Sequence, residues 1–119
     1  MTAQPALSSS VELTYYGELT VIITFNEEGR PSNIRASLEK ANSGDTASLE
    51  AISNLASLCL QIDGGIQQVI EHLRGITDQP EWSSGTLYRS VPDAIAHLLE
   101  EMLPRIPDTS QKGLEAASG

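Results

Sequence analysis

Between Leu19 and Phe25 every second residue is apolar, with Leu19, Val21, Ile23 and Phe25 separated by Thr20, Ile22 and Thr24. Successive side chains of a strand point to opposite faces, so this run predicts a strand whose odd members face a core. Upstream, Val11, Leu13 and Tyr15 alternate with Glu12, Thr14 and Tyr16, and Gly17 then permits a turn or bulge. Downstream, Asn26-Glu27-Glu28-Gly29-Arg30-Pro31 reads as a hairpin connection, because Gly29 tolerates positive φ and Pro31 cannot donate to a ladder. The return strand runs from Ser32 to Leu38 with Ile34, Ala36 and Leu38 inward. Arg35 then lies on the opposite face, where it is either a solvated charge or a ligand contact.

After Asn42-Ser43-Gly44-Asp45-Thr46, which carries several N-cap candidates, the period changes to three and four. Leu49, Ile52, Ala56 and Cys59 define one helix, and Leu55, Leu58 and Leu60 widen its apolar stripe. The width predicts a helix that is nearly all core, buried against the sheet on one side and against another helix or subunit on the other. Gly64-Gly65 ends it, and Ile66, Val69, Ile70 and Leu73 form a second, shorter helix closed by Gly75. The stretch from Gly75 to Ser90 is polar and holds the only tryptophan, Trp82; connections of more than about 12 residues without their own structure are usually functional or mobile. Pro92 and Asp93 suit the first turn of a third helix, whose inward stripe is Ile95, Leu98, Leu99 and Met102.

The predicted fold class is therefore α+β: a small antiparallel sheet of two or three strands, two helices, a long loop and a third helix on one face. Residues 11–104 form the single domain. Residues 1–10 read as a disordered arm and residues 105–119 as a flexible tail, both poor in apolar surface. An open strand edge and the wide helical stripe together predict a homo-oligomer, a dimer or larger.

Charge and cysteine narrow the chemistry. The 119 residues carry a net charge of −9 with only seven Lys and Arg, which argues against duplex DNA, whose binding rests on neutralising phosphates. The lone Cys59 sits in an apolar helical pattern and excludes an intramolecular disulfide. Met1 to Ser10 lacks the basic start and apolar run of a secretory signal, and no run approaches the ~18 apolar residues of a membrane span, so a cytoplasmic protein is expected. His72 and His97 have no second ligand at metal-binding spacing, and no nucleophile stands with a base. No catalytic residue, metal or cofactor is assigned.

The order Gly17-Glu18-Leu19-Thr20-Val21-Ile22-Ile23-Thr24-Phe25-Asn26-Glu27-Glu28-Gly29-Arg30-Pro31, Ser43-Gly44, Leu49-Glu50-Ala51-Ile52, Ile70-Glu71-His72-Leu73-Arg74-Gly75-Ile76 and Ser90-Val91-Pro92-Asp93-Ala94-Ile95 resembles the TSCPD domain. That domain occurs at the C-terminus of adenosylcobalamin-dependent ribonucleotide reductases and as stand-alone small proteins. Arg89-Ser90-Val91-Pro92-Asp93 departs from the Thr-Ser-Cys-Pro-Asp of its name, and Thr77 and Asp78 stand where a further cysteine is usual, so no thiol or metal role carries over. The resemblance implies the fold, the helix cap at Pro92 and Asp93, and an association with nucleotide metabolism.

The residues left for function are Arg74, Trp82, Tyr88 and Arg89, with Arg35 as an outlier. Two aromatic rings and two guanidinium groups suit the base and phosphate of a nucleotide or cyclic nucleotide. The expected function is a non-catalytic module that binds or sequesters such a ligand, as a viral-type sponge for a nucleotide signal would, or that serves a ribonucleotide reductase. The alternative is an acidic inhibitor or adaptor acting on a protein partner. In the bland reading Trp82 packs over the helices and the arginines pair with Glu71 and Glu81.

Overall fold

The computed structural model describes residues 5–106. Three antiparallel strands come first: β1 (Ala6–Leu13), β2 (Gly17–Phe25) and β3 (Pro31–Leu38), with β2 central. They are followed by α1 (Ser43–Cys59), α2 (Gly65–Leu73), a two-stranded hairpin of β4 (Glu81–Ser83) and β5 (Thr86–Tyr88), and α3 (Val91–Met102), which ends in a single 3-10 turn at Leu103–Arg105. The architecture is α+β, with a three-stranded sheet and three helices. No helix among the described residues is long and apolar enough to cross a membrane.

Alternation on β2 does what the sequence pattern requires. Leu19, Val21, Ile23 and Phe25 are all buried, and the register sets Leu19 against Leu38, Val21 against Ala36 and Ile23 against Ile34 on the same inner face. A fully buried side chain of this kind contributes about 1.5–3 kcal/mol, so β2 is the energetic centre of the sheet. Helix α3 covers the inner face with Ala94, Ile95, Leu98, Leu99 and Met102, all essentially inaccessible to water. Helix α2 adds Ile66, Val69 and Ile70.

The structure departs from the sequence pattern at β1 and at α1. Strand β1 starts at Ala6, inside the stretch read as a disordered arm, because pairing from Ala6–Thr24 to Leu13–Gly17 supplies hydrogen bonds that its small polar side chains do not advertise. Residues 1–4 and 107–119, the rest of the arm and nearly all of the tail, lie outside the described residues, while Ile106 packs against the core. Helix α1 is not nearly all core. Leu49, Ser53 and Ala56 are buried, but Leu55 and Leu58 are 64% and 60% exposed, because only the faces toward β3 and α2 are covered.

The buried Ser53 explains how α1 is seated. Its hydroxyl accepts from the Ala36 N–H at 3.1 Å; one helical turn later the Ser57 hydroxyl accepts from the Ile34 N–H at 2.9 Å and donates to the Ile34 carbonyl at 3.1 Å. These are outward-facing backbone groups of an edge strand, so α1 closes the β3 edge with two serines spaced i and i+4. Asn42 starts the helix with a capping box, its side chain accepting from the Asp45 N–H while the Asp45 carboxylate accepts from the Asn42 N–H. Between α1 and α2 the chain doubles back at Gly65, where a Cβ would collide with the Cys59 carbonyl.

Candidate functional site

The segments on either side of the polar stretch are bound together by one carboxylate. Asp93, in the first turn of α3 and 1% exposed, accepts from the Gly75 N–H through Oδ1 at 2.7 Å and from the Arg89 N–H through Oδ2 at 2.9 Å. Ser90, the N-cap of α3, accepts from the Asp93 N–H at 3.1 Å and donates to the Ile76 carbonyl at 2.5 Å. The Asp78 N–H donates to the Arg89 carbonyl at 2.9 Å. Six backbone groups at the end of α2 and the start of α3 are thereby satisfied. Gly75 sits at φ +84°, a conformation that side chains with a Cβ rarely adopt, so the clamp needs a glycine there as well as an aspartate. His97 Nε2 lies 3.3 Å from Asp93 Oδ2, and its ring meets the Tyr88 ring edge-on with centroids 5.1 Å apart.

Held between the clamped ends is the β4–β5 hairpin, where a loop without structure of its own was expected. Its turn is Ser84-Gly85, both at positive φ, the two-residue geometry that matches strand twist. The hairpin is braced on the end of β1: the Ser83 hydroxyl donates to the Glu12 carbonyl at 3.1 Å, and a Glu81 carboxylate oxygen accepts from the Thr14 N–H at 2.7 Å. Cross-strand pairs are Glu81–Tyr88, Trp82–Leu87 and Ser83–Thr86. Alternation therefore sends Glu81 and Tyr88 to one face, and Trp82 and Leu87 to the other.

That alternation separates the expected site residues. Trp82 is 70% exposed, and Arg89, two residues beyond its cross-strand partner, has an exposed side chain with no ion pair among the described residues. Tyr88 is buried, its ring engaged by His97, so it is not the stacking surface the sequence suggested. Arg74 lies one residue from the Gly75 contact with Asp93, which brings it near Arg89, but its guanidinium is already paired with Glu100 rather than with Glu71 or Glu81. Arg35 stands apart on β3, the far edge from the hairpin, and donates to Asn54 Oδ1 at 3.0 Å.

A shallow depression lies behind the hairpin, lined by Leu13, Tyr16, Asp78, Gln79, Glu81, Tyr88, Ser90 and Val91. Burial, and secondarily nearby carboxylates, shift both of its tyrosines. Partial burial, with the negative charges of Asp45, Asp78 and Glu81, pushes the Tyr16 hydroxyl above its ordinary pKa. Burial does the same for Tyr88, assisted by Glu101 and Asp93 and opposed by a hydrogen bond with Thr86. No group of three or more His, Cys, Asp or Glu side chains is placed to hold a metal ion among the described residues.

Comparison with known proteins gives one match. The model of the TSCPD domain covers residues 4–103, which includes every element from β1 to α3. The chain belongs to the TSCPD domain family. That family is linked to ribonucleotide reductase-like proteins. No curated protein and no solved structure matches the chain. Within this TSCPD domain the Leu-Arg-Gly-Ile and Ser-Val-Pro-Asp-Ala-Ile segments are the two halves of the Asp93 clamp, which gives their spacing a structural cause.

Proposed function

We propose that this TSCPD domain is a non-catalytic binding module whose recognition surface is the outer face of the β4–β5 hairpin. The carrying observation is the open indole of Trp82 and, two residues beyond its cross-strand partner Leu87, the exposed side chain of Arg89, which has no ion pair among the described residues, on a hairpin braced at both ends. An indole face stacks on a nucleobase and a guanidinium forks onto a phosphate, so the ligand class is a nucleotide or cyclic nucleotide. Arg74, next to the clamped Gly75, would have to exchange Glu100 for a phosphate oxygen to join them. The family link to ribonucleotide reductase-like proteins supports a nucleotide context, either as an accessory to such an enzyme or as a sequestering protein acting alone.

The acidic depression favours a second reading, a protein-directed adaptor or inhibitor that offers Asp78 and Glu81 to a basic partner. The two separate on purification. A nucleotide binder carries material absorbing near 260 nm that Arg89→Ala or Trp82→Ala removes. A protein-directed module carries none, and its partner is lost on Asp78→Lys instead. Arg89→Ala is a clean probe because Arg89 serves the clamp through its backbone N–H and C=O, not its side chain.

A further inference from the structure

The two edges of the sheet are treated differently. The β3 edge is closed by Ser53 and Ser57. On β1, the Phe25 N–H donates to the Pro5 carbonyl, and the register with β2 then places Leu7, Ser9, Val11 and Leu13 in hydrogen-bonded pairs. The backbone groups of Ala6, Ser8, Ser10 and Glu12 point the other way. The hairpin takes the last of these, through the Ser83 hydroxyl on the Glu12 carbonyl. From Ala6 to Ser10 no hydrogen bond reaches the outward N–H and C=O groups among the described residues. Strand β1 also lacks the devices that blunt an edge: no bulge interrupts its pairing, and no charge or proline stands between Ala6 and Val11.

We propose that this edge pairs antiparallel with the same edge of a second copy, about a two-fold axis, joining the two three-stranded sheets into one. The occupant follows from charge and shape. At −9 per chain, two copies repel wherever their acidic surfaces meet, and the Ala6–Val11 stretch is an uncharged span along which they can approach. The ladder positions carry only Ala6, Ser8 and Ser10, small enough for close strand approach. Leu7 and Val11, half-buried at the rim of the core, gain cover from the partner strand. One isologous contact satisfies both open edges at once. The exposed Leu55 and Leu58 of α1 lie at the opposite edge of the sheet and form the competing surface.

Sedimentation velocity of the full chain tests this with two variants. Ser8→Pro removes an outward N–H without touching the β1–β2 ladder, a placement edge strands tolerate. The wild type is expected to sediment as a dimer. Ser8→Pro weakens it by about tenfold or more with an unchanged circular dichroism spectrum, since each protomer loses a ladder donor. Leu58→Glu leaves the dimer intact. If Ser8→Pro fails to fold, Ser8→Lys, which sets like charges against each other across the two-fold, reads out the same contact. A wild-type monomer up to millimolar concentration overturns the proposal. A dimer that a folded Ser8 variant leaves intact, or that Leu58→Glu dissolves, overturns it too.

Discussion

Replacing Asp93 by alanine removes the carboxylate that ties the end of α2 to the start of α3 through two backbone N–H groups. The carboxylate accepts from two backbone N–H groups, those of Gly75 and Arg89, at 2.7 and 2.9 Å. Hydrogen bonds to a charged group contribute about 1.5–3 kcal/mol each, and the low end applies because both donor residues reach solvent, giving about 3 kcal/mol together. Set against a domain stability of about 5–15 kcal/mol, this is a large fraction. For a domain of this size it lowers Tm by roughly 12–24 °C, at about 4–8 °C per kcal/mol. Asp93→Asn keeps one acceptor oxygen and is expected to cost about half as much. Urea unfolding followed by far-ultraviolet circular dichroism is the assay, since exposed Trp82 is a poor reporter of folding; the midpoint should fall with little change in slope. A loss below about 1 kcal/mol for Asp93→Ala would refute the clamp as an organising contact.

Gly75→Ala leaves the Gly75 N–H in place and meets no neighbouring atom, so its cost, about 1–2 kcal/mol in the same assay, is that of holding a Cβ at φ +84°. Ser53→Ala strips the Ala36 N–H of its acceptor and should cost about 1–3 kcal/mol; adding Ser57→Ala opens the β3 edge and should raise light scattering on heating. Tyr16 and Tyr88 hold their protons more tightly when folded, so the folded chain binds more protons than the unfolded one above the ordinary tyrosine pKa of about 10. Their contribution is complete below that pH and is lost as pH rises through the folded values, so alkaline unfolding should shift to higher pH in Tyr16→Phe.

How far the sequence disclosed this molecule depended on the range of each interaction. Strand β2 was legible because nine residues hold one period and its inner members reach the centre of the core. Hairpin β4–β5 was not, since three-residue strands are too short to display a period; the Ser84-Gly85 dipeptide was its only local signal. The start of β1 was missed because Ser8, Ser9 and Ser10 have no strand propensity of their own and are ordered by pairing with Ile22, Val21 and Thr20. Trp82 was read as a binding surface and is exposed, whereas Tyr88, read alike, is turned inward by its pairing with Glu81. Asp93 was assigned to the helix dipole from its place after Pro92. Its larger role needs Gly75, which stands 18 residues away, and the Arg74–Glu100 pair spans 26, so neither shows at helical spacing.

Whether the outer face of the hairpin is a ligand site is decided by calorimetric titration of the purified chain with nucleoside monophosphates, diphosphates and cyclic nucleotides. Saturable heat with at least one of them, abolished by Arg89→Ala and by Trp82→Ala while both variants melt like the wild type, is the predicted result. The absence of heat with every nucleotide at high protein concentration, or heat that survives both substitutions, would contradict it.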